Sequence, residues 1–566
     1  MFLLCLTVIS SFAEVVSLSA VLPFIGILTQ PEKVFDSPLM EEVVRTLGIT
    51  SGSDLVVPLT IAFAVAALVA GGLRLLLLWV SIRLGNATGA DLSIEVYRRT
   101  LYQPYSVHVA RSSSEIISGI TQKVAIATGV LISGVTVITS TALFAAIMMT
   151  LVAVDPIIAI LAAASFGSAY GIIAWQTRQR LVRNSQCIAQ EQTRVIKVLQ
   201  EGLGAIRDVL LDGTQAVYCD VYSTAILRLR RAAGENTFIN EAPRYAMEAL
   251  GMALIAVFVL AMSYRPGGVG TALPILGMLA LGAQRLLPLM QQLYGNWSVV
   301  AGSKAALIDV LRLLDQPLPA DAGDPAPAPL ALRDAIKFDN VRFRYDNAGP
   351  WVLDGIDLAI PKGARVGFVG STGSGKSTAL DLLMGLLEPV HGNILVDGQP
   401  LTRECQRAWQ RTIAHVPQSI FLADATVAEN IAFGIPPEHI DLARVRKAAA
   451  KAQIADFIER RPEGYGAIVG ERGVRLSGGQ RQRIGIARAL YKQASVLIFD
   501  EATSALDNDT ELVVMETIKN LDIGLTILII AHRLTTLKNC DTVIRIDHGK
   551  IVAQHTYEQL MNSNLN

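Results

Sequence analysis

Six long apolar runs, separated by charged stretches, dominate the chain from Phe2 to Met290. They are Phe2–Leu28, Leu55–Val80, Val130–Val154, Ile157–Trp175, Ala246–Met262 and Thr271–Met290. A helix needs about 20 apolar residues to cross the hydrocarbon of a bilayer, so each run predicts a membrane span, the shorter ones with extended ends. Asp155-Pro156 separates the third run from the fourth and predicts a tight hairpin, because proline breaks a helix interior.

The loops between these runs differ in charge, and this difference predicts their orientation. After the first, third and fifth runs the only cations are Lys33, Arg45 and Arg265, whereas the loops after the second and fourth runs are rich in arginine and lysine. The positive-inside rule therefore places those two long loops, and everything after the sixth run, in the cytoplasm. Their helix-forming composition predicts that spans two to five continue as helices beyond the membrane.

The first apolar run has no basic segment before it and no cleavage site of small residues. It therefore predicts a retained helix rather than a signal peptide, with a short amphipathic lead-in expected upstream of Met1.

Composition supports a membrane protein and argues against a nucleic-acid-binding protein and against a disulfide-rich or metal-binding one. Hydrophobic residues make up 51% of the chain, charged residues 17%, and the mean hydropathy is +0.42. The 49 basic and 49 acidic residues balance, so no basic field predicts a nucleic-acid partner. The five cysteines are scattered, without metal or disulfide spacing.

A linker rich in proline and alanine marks a domain boundary, because proline favours extended backbone. Beyond it, β-rich runs alternate with helical patterns, which is typical of an α/β domain with parallel strands. The sequence thus predicts a transmembrane domain at 1–314, a linker at 315–333 and a second domain at 334–566.

The clearest chemical motif follows the strand-like segment Ala364–Val369. Residues 370–378 read Gly-Ser-Thr-Gly-Ser-Gly-Lys-Ser-Thr, the G-x-x-x-x-G-K-S/T pattern of a P-loop, and a helical pattern follows at Ala379–Leu387. Glycines let backbone N–H groups converge on phosphates, and the helix N-terminus adds positive potential. We expect ATP as the ligand, with Lys376 on the β- and γ-phosphates and Ser377 on Mg²⁺. The predicted binding residues are Ser371, Thr372, Gly373, Ser374, Gly375, Lys376, Ser377 and Thr378.

A second apolar strand, Val496–Phe499, ends in two adjacent carboxylates. Alone, such a pair is usually a solvated loop. Beside a P-loop, Asp500 can hold the magnesium ion at the strand tip. Glu501, one residue further on, can polarise the attacking water.

Between these motifs, Ser477-Gly478-Gly479-Gln480 opens a helix and resembles the signature of ATP-binding-cassette (ABC) ATPases. Four other residues are similar to family positions in chain order. The resemblance implies that Tyr345 stacks on adenine and that Gln418 links Mg²⁺ and water to the membrane domain. It also implies that Asp507 lies in the D-loop and that His532 contacts the γ-phosphate.

The resemblance extends to the whole architecture and implies an ATPase coupled to transport. The fold expected is an α-helical transmembrane domain of six spans with long cytoplasmic extensions, fused to an α/β P-loop ABC ATPase domain. One P-loop and one signature per chain imply a half-transporter that works as a homodimer in the bacterial inner membrane. A nucleotide-gated channel is the alternative from another class, but such proteins often lack the intact catalytic residues found here. A soluble DNA-repair ATPase is excluded by the six apolar runs.

Three stretches of the long loops, 103–108, 111–117 and 201–213, resemble bacterial flippases for lipid-linked oligosaccharides. The expected substrate is therefore a polyprenyl-pyrophosphate-linked oligosaccharide. The alternative is a multidrug, peptide or lipid A-type exporter, with the three stretches as ordinary polar loops.

Two further features bear on the substrate. Pro38–Leu47 places its apolar residues on one helical face, which predicts an outer interfacial helix or a loop helix packed on its own domain. Arg74 and Arg285 lie in the inner halves of their spans, where a buried charge favours function. We expect them to bind the substrate's pyrophosphate; otherwise they snorkel towards water. Glu14, near mid-membrane, could pair with one of them.

Overall fold

A computed structural model describes residues 2–20, 24, 55–154, 156–263, 286–346, 348–501, 511, 524–531 and 534–563. The chain divides into two compact units. One comprises Met1–Gln103 with Val107–Ala320, and the other comprises Pro104–Ser106 with Asp321–Asn566.

The first unit is helical throughout its described part. Its helices are α1 (Phe2–Ser19), α2 (Val56–Leu101), α3 (Tyr105–Ala110), α4 (Ser113–Ser118), α5 (Val124–Val154), α6 (Pro156–Gly204), α7 (Ile206–Leu211), α8 (Gln215–Ser263), α9 (286–302) and α10 (Lys304–Leu314). A π-helical turn, Gly119–Lys123, joins α4 to α5. Helices α2, α6 and α8 have 46, 49 and 49 residues. At about 1.5 Å per residue each is roughly 70 Å long, more than twice the hydrocarbon thickness. The prediction of long helical extensions is therefore confirmed for these three helices.

The structure describes only part of the predicted apolar runs. Helix α1 spans Phe2–Ser19, and most of the remainder of the predicted run Phe2–Leu28 lies outside the described residues. The same holds for most of the sixth run, for Pro38–Leu47 and for Arg285. Within the described ranges, Val56–Leu101 and Ser113–Met149 are the two helical segments long and apolar enough to cross a membrane.

Glycine contacts between helices and an ion pair of a buried lysine help to hold this unit together. Gly85 and Gly89 of α2 lie against Ile132 and Thr128 of α5, where any added Cβ would clash. Small residues at such contacts allow helix backbones to approach closely in a membrane. The ammonium group of Lys123 is buried and lies 2.6 Å from Asp309 Oδ2, which ties the π-helical turn to α10.

The second unit contains two sheets. Its strands are β1 (Ala335–Phe343), β2 (Leu353–Pro361), β3 (Arg365–Val369), β4 (His391–Val396), β5 (Gln399–Pro400), β6 (Ile413–Val416), β7 (Val496–Asp500), β8 (Thr526–Ile530), β9 (Thr542–Asp547) and β10 (Lys550–His555). The first sheet has the order β2-β1-β4-β5 and is antiparallel. The second has the order β10-β9-β3-β8-β7-β6, parallel except for the edge strand β10. Strands β7 and β8 are nearly continuous apolar runs because a central parallel strand is buried on both faces.

Helices cover these sheets and complete the α/β arrangement that the sequence predicts. The α-helices are α11 (Lys376–Leu383), α12 (Arg403–Thr412), α13 (Val427–Ile431), α14 (Leu442–Lys451), α15 (Ala455–Glu459), α16 (Gly478–Lys492) and α17 (Tyr557–Ser563). Helix α11 is shorter than its predicted pattern because Gly385, at φ +66°, reverses the backbone; the N–H of Leu386 then donates to the carbonyl of Asp381. The fully buried Trp409 donates its indole N–H to the carbonyl of Leu383 at 2.7 Å and joins α12 to α11.

Candidate functional site

The candidate site lies at the carboxyl edge of the six-stranded sheet. The P-loop follows β3, Asp500 ends β7, and β8 lies between these two strands. In parallel sheets, loops at this edge form the usual ligand crevice. His532 follows β8, but it lies outside the described residues, as does Asp507.

The P-loop needs its glycines for steric reasons. Gly370, Gly373 and Gly375 have φ of 153°, 81° and 105°, a backbone region that other residues rarely adopt. A Cβ at Gly370 would also collide with the backbone of Ile546. Gly375 precedes the first residue of α11, so the amino end of that helix opens onto the loop. Backbone N–H groups and the helix dipole can therefore converge on an anion.

Lys376 is poised at the centre of this loop. It is 6% exposed, and its Nζ donates to the carbonyl oxygens of Gly370 and Ser371, each at 2.9 Å. The ammonium is thereby held over the loop, where a phosphate can take over these donors with stronger, charge-assisted hydrogen bonds.

Gln418 and Glu501, from the ends of two neighbouring strands, meet directly. The Nε2 of Gln418 donates to Glu501 Oε2 at 2.6 Å. Glu501 has φ +49°, an uncommon value for a residue with a side chain, and its N–H donates to the carbonyl of Ile530. Such strain is typical of functional positions held by their surroundings. The structure thus brings together two residues that the sequence assigned separately to water and metal handling.

A third carboxyl group in this region was missed by sequence reasoning. Asp381, on α11, has its pKa raised to about 6, first by burial and second by the negative charge of Asp500. In the sequence, Asp381 could have been found as an acidic residue among apolar ones, five positions after the P-loop lysine.

The donor set at this edge fits magnesium. Ser377 offers a hydroxyl, Asp500 a carboxylate and Gln418 an amide carbonyl, all oxygen ligands of the kind that Mg²⁺ prefers. These are the residues that would hold the ion.

Tyr345 lies close to the P-loop helix. Its hydroxyl is 3.1 Å from Thr378 Oγ1, and its ring packs edge-on against Phe343 with centroids 5.0 Å apart. The side chain is nevertheless 58% exposed, so an aromatic surface remains for a purine base.

The Ser477–Gln480 turn forms a capping box at the start of α16. Ser477 Oγ accepts from the N–H of Gln480, and Gln480 Oε1 accepts from the N–H of Ser477 at 2.9 Å. No hydrogen bond among the described residues joins this turn to the P-loop of the same chain. Within the turn, the N–H groups of Ser477 and Gln480 are paired with each other's side chains.

In the helical unit, Arg74 has a partner. Its Nη1 lies 3.6 Å from Glu14 Oε1, with the Glu14 side chain 7% exposed and the Arg74 side chain 44% exposed. Glu14 therefore pairs with one of the two candidate arginines.

The second unit combines a P-loop, carboxylates at a strand end and a capped helix that begins with two glycines, all on an α/β fold. This fold follows long apolar helices in the chain. Together these features define an ATPase that powers membrane transport. Residues 353–504 match the ABC transporter family model. An ATP-dependent lipid A-core flippase from Cupriavidus metallidurans is 32% identical over 490 residues, 85% of this chain and 81% of that protein. A leukotoxin translocation ATP-binding protein, LktB, from a Pasteurella haemolytica-like species is 40% identical over 286 residues, 50% of this chain and 39% of that protein.

The solved structure of a bacterial Atm1-family ABC exporter with ATP bound matches 98% of this chain and 95% of its own, with a TM-score of 0.77 and 27% identity. The chain belongs to the ABC transporter family. It is a membrane-embedded exporter half whose helical domain is fused to an ATP-binding ATPase domain, and ATP hydrolysis drives its transport.

Proposed function

We propose that two copies of this chain form a flippase that moves a phosphorylated glycolipid of lipid A type outward across the bacterial inner membrane. The observation that carries this proposal is the extent of similarity to the lipid A-core flippase of Cupriavidus metallidurans. The 490 matched residues exceed the length of the ATPase domain, so the match reaches well into the helical unit that handles substrate. The leukotoxin exporter, by contrast, matches only half of this chain.

The relatives favour the lipid A-type alternative over the polyprenyl-pyrophosphate oligosaccharide that the loop resemblance predicts. Both substrates carry phosphate next to a saccharide on a lipid anchor. The difference lies in the anchor, and the predicted outer helix Pro38–Leu47 falls outside the described residues.

For the ATPase site we propose roles that follow from the geometry. Lys376 turns from its two carbonyl acceptors onto the β- and γ-phosphates of ATP, and Tyr345 stacks on adenine. Glu501, oriented by Gln418, accepts a proton from the attacking water. Mg²⁺, held by Ser377, Asp500 and Gln418, would neutralise charge on the phosphates. The Ser477–Gln480 turn, with Gly478 and Gly479 at its centre, binds the nucleotide of the second copy.

Arg74 is proposed to bind the phosphate of the lipid together with Arg285. Its exposed guanidinium retains donors besides those facing Glu14, and a guanidinium can bind phosphate with two parallel hydrogen bonds. Glu14 would hold Arg74 in place until the lipid arrives.

A flipping assay in proteoliposomes tests the proposal. The protein is given fluorescent lipid A-core, a polyprenyl-pyrophosphate oligosaccharide or a cationic amphipathic drug, with ATP and magnesium. We expect ATP-dependent movement of lipid A-core alone, and none with Glu501→Gln. Movement of only the polyprenyl lipid or the drug would overturn the substrate class, and movement without ATP would overturn the coupling.

A further inference from the structure

The helical unit contains a cavity of about 490 Å³, separate from Arg74 and the ATPase site, with both apolar and polar residues in its lining. Its lining comes from the π-helical turn and the start of α5, from α6, α8 and α9, and from the start of α10. Most of the polar lining consists of amide and hydroxyl groups. Its amides and two of its serines are Gln122, Gln192, Asn236, Asn240, Ser185 and Ser298.

Helix α9 approaches α8 closely at two glycines, and this approach shapes the cavity. A Cβ at Gly295 would lie 2.9 Å from Asn240 Oδ1, and a Cβ at Gly302 would lie 2.9 Å from Asn236 Nδ2. Glycine at both positions therefore leaves room for the two asparagines. Asn236 Oδ1 in turn accepts from Asn184 Nδ2 at 3.0 Å, which fixes one amide of the wall.

Three residues of the cavity lining carry an amide oxygen that has no donor among the described residues. Oε1 of Gln122, Oε1 of Gln192 and Oδ1 of Asn240 are shielded from solvent and accept no hydrogen bond from the described residues. Native proteins pair nearly all buried polar atoms, so three such acceptors around one cavity call for an occupant that supplies donors. The terminal torsions of Asn and Gln are broad, and binding of such an occupant requires each amide to rotate its oxygen into the cavity.

The lining chemistry selects the kind of occupant. Neutral amides and hydroxyls, with the single cation Arg230, match a ligand rich in hydroxyl groups. A bare phosphate would require several cations, and an acyl chain would leave the amides unpaired. Aliphatic side chains such as Ile126 and Ile188 can cover the C–H faces of sugar rings. The volume lies within the usual range for small-molecule sites, about 300–1,000 Å³.

The position of the cavity requires a ligand whose head group is long enough to reach it from the membrane. Ser185 and Gln192 lie 10 and 17 residues beyond Trp175, the end of the predicted fourth span. At about 1.5 Å per helical residue they are roughly 15–25 Å past that end, on the cytoplasmic side. Only a lipid with an extended head group could reach them from the inner leaflet.

The geometry points to a docking chamber for the saccharide part of the transported glycolipid, with Gln122, Gln192 and Asn240 accepting hydrogen bonds from its hydroxyls. This inference rests on the proposed function and deepens it. The saccharide, rather than the acyl chains, becomes the part that distinguishes cargo from ordinary membrane phospholipids.

The test compares lipid A bearing its core oligosaccharide with lipid A lacking the core, using the purified dimer in nanodiscs. The readout is the lipid concentration that half-maximally stimulates ATP hydrolysis. We expect wild type to prefer the core-bearing lipid about tenfold, the factor that one or two neutral hydrogen bonds are worth. The triple variant Gln122→Leu/Gln192→Leu/Asn240→Leu should lose this preference while its response to the core-free lipid is unchanged.

Two further variants control the comparison. Gln190→Leu removes an amide that is exposed on the same helix and does not line the cavity, and it should retain the wild-type preference. Gln192→Met, close in shape to the native side chain, serves if the triple variant does not fold, and it should lose part of the preference. Equal responses of wild type to both lipids, or an unchanged preference in the cavity variants, would overturn the inference.

A direct binding measurement separates this inference from the proposed function. Hydrogen exchange of residues 185–192 and 233–240 is followed in detergent-solubilised protein with the soluble core oligosaccharide. Protection in wild type but not in the cavity variants supports the chamber even if neither lipid is flipped, in which case the proposed function alone fails. If neither lipid stimulates hydrolysis and the oligosaccharide protects neither segment, the cavity holds only water and the inference is wrong.

Discussion

Replacement of Glu501 by glutamine separates ATP binding from ATP hydrolysis. Glutamine has nearly the same shape, and its amide oxygen can still accept from Gln418 Nε2, which now lies 2.6 Å from the carboxylate. The φ of +49° at this position strains both residues alike, so folding should be preserved. The variant lacks the carboxylate that is proposed to take the proton from water.

The magnitude follows from that single loss. A positioned general base contributes a factor of about 10²–10⁴ in rate, or roughly 3–5 kcal/mol of barrier. Exchange of a charge-assisted for a neutral hydrogen bond to Gln418 changes stability by only about 1 kcal/mol. We therefore expect the turnover number to fall at least about 100-fold, while the dissociation constant for ATP changes less than about threefold.

The assay measures phosphate release at saturating ATP and magnesium, alongside equilibrium binding of a fluorescent ATP analogue. Glu438→Gln, an exposed acidic residue in the short 3₁₀-helix Pro437–His439, is the matched control and should hydrolyse ATP normally. A turnover number within about threefold of wild type in Glu501→Gln would refute the role of Glu501. A large loss of ATP affinity would show that the carboxylate acts in binding instead.

Three other perturbations test the structure. Trp409→Phe leaves the carbonyl of Leu383 without its buried donor and should cost about 1–3 kcal/mol, seen as a lower thermal unfolding midpoint than that of wild type. Asp381→Asn should raise the unfolding midpoint at pH 7.5 without nucleotide, because a carboxyl whose pKa is raised to about 6 destabilises the fold when it is ionised. This gain in midpoint should vanish as the pH falls from 6 to 4. A gain that persists at pH 4 would contradict the assigned pKa shift. The single variant Arg74→Ala should destabilise the protein more than the double variant Arg74→Ala/Glu14→Gln. A double-mutant cycle should give about 1 kcal/mol of coupling between the two side chains, and zero coupling would show that they do not stabilise each other.

Local patterns in the sequence predicted much of the fold. The strand predicted at Val496–Phe499 is observed and is one residue longer, ending at Asp500. The P-loop lies between a strand and a helix, as its motif requires. These features depend on residues close together in the chain, and their hydrophobic period or glycine spacing is visible without any knowledge of distant contacts.

Element ends were harder to predict than element types. Helix α11 ends at Leu383, although its apolar pattern continues to Leu387, because Gly385 adopts a left-handed conformation. Hydrophobicity alone does not encode this backbone reversal.

The sequence by itself determined that the chain joins apolar spans to an ATPase with its phosphate-binding and carboxylate motifs in order. It also limited the substrate to a class of amphiphiles. Only the tertiary structure decided which distant groups meet: Gln418 with Glu501, Glu14 with Arg74, and the amides from Gln122 to Asn240 around one cavity. The physical reason is that helix and strand periods arise from neighbouring residues, whereas these contacts close loops of tens of residues and form only when whole elements pack.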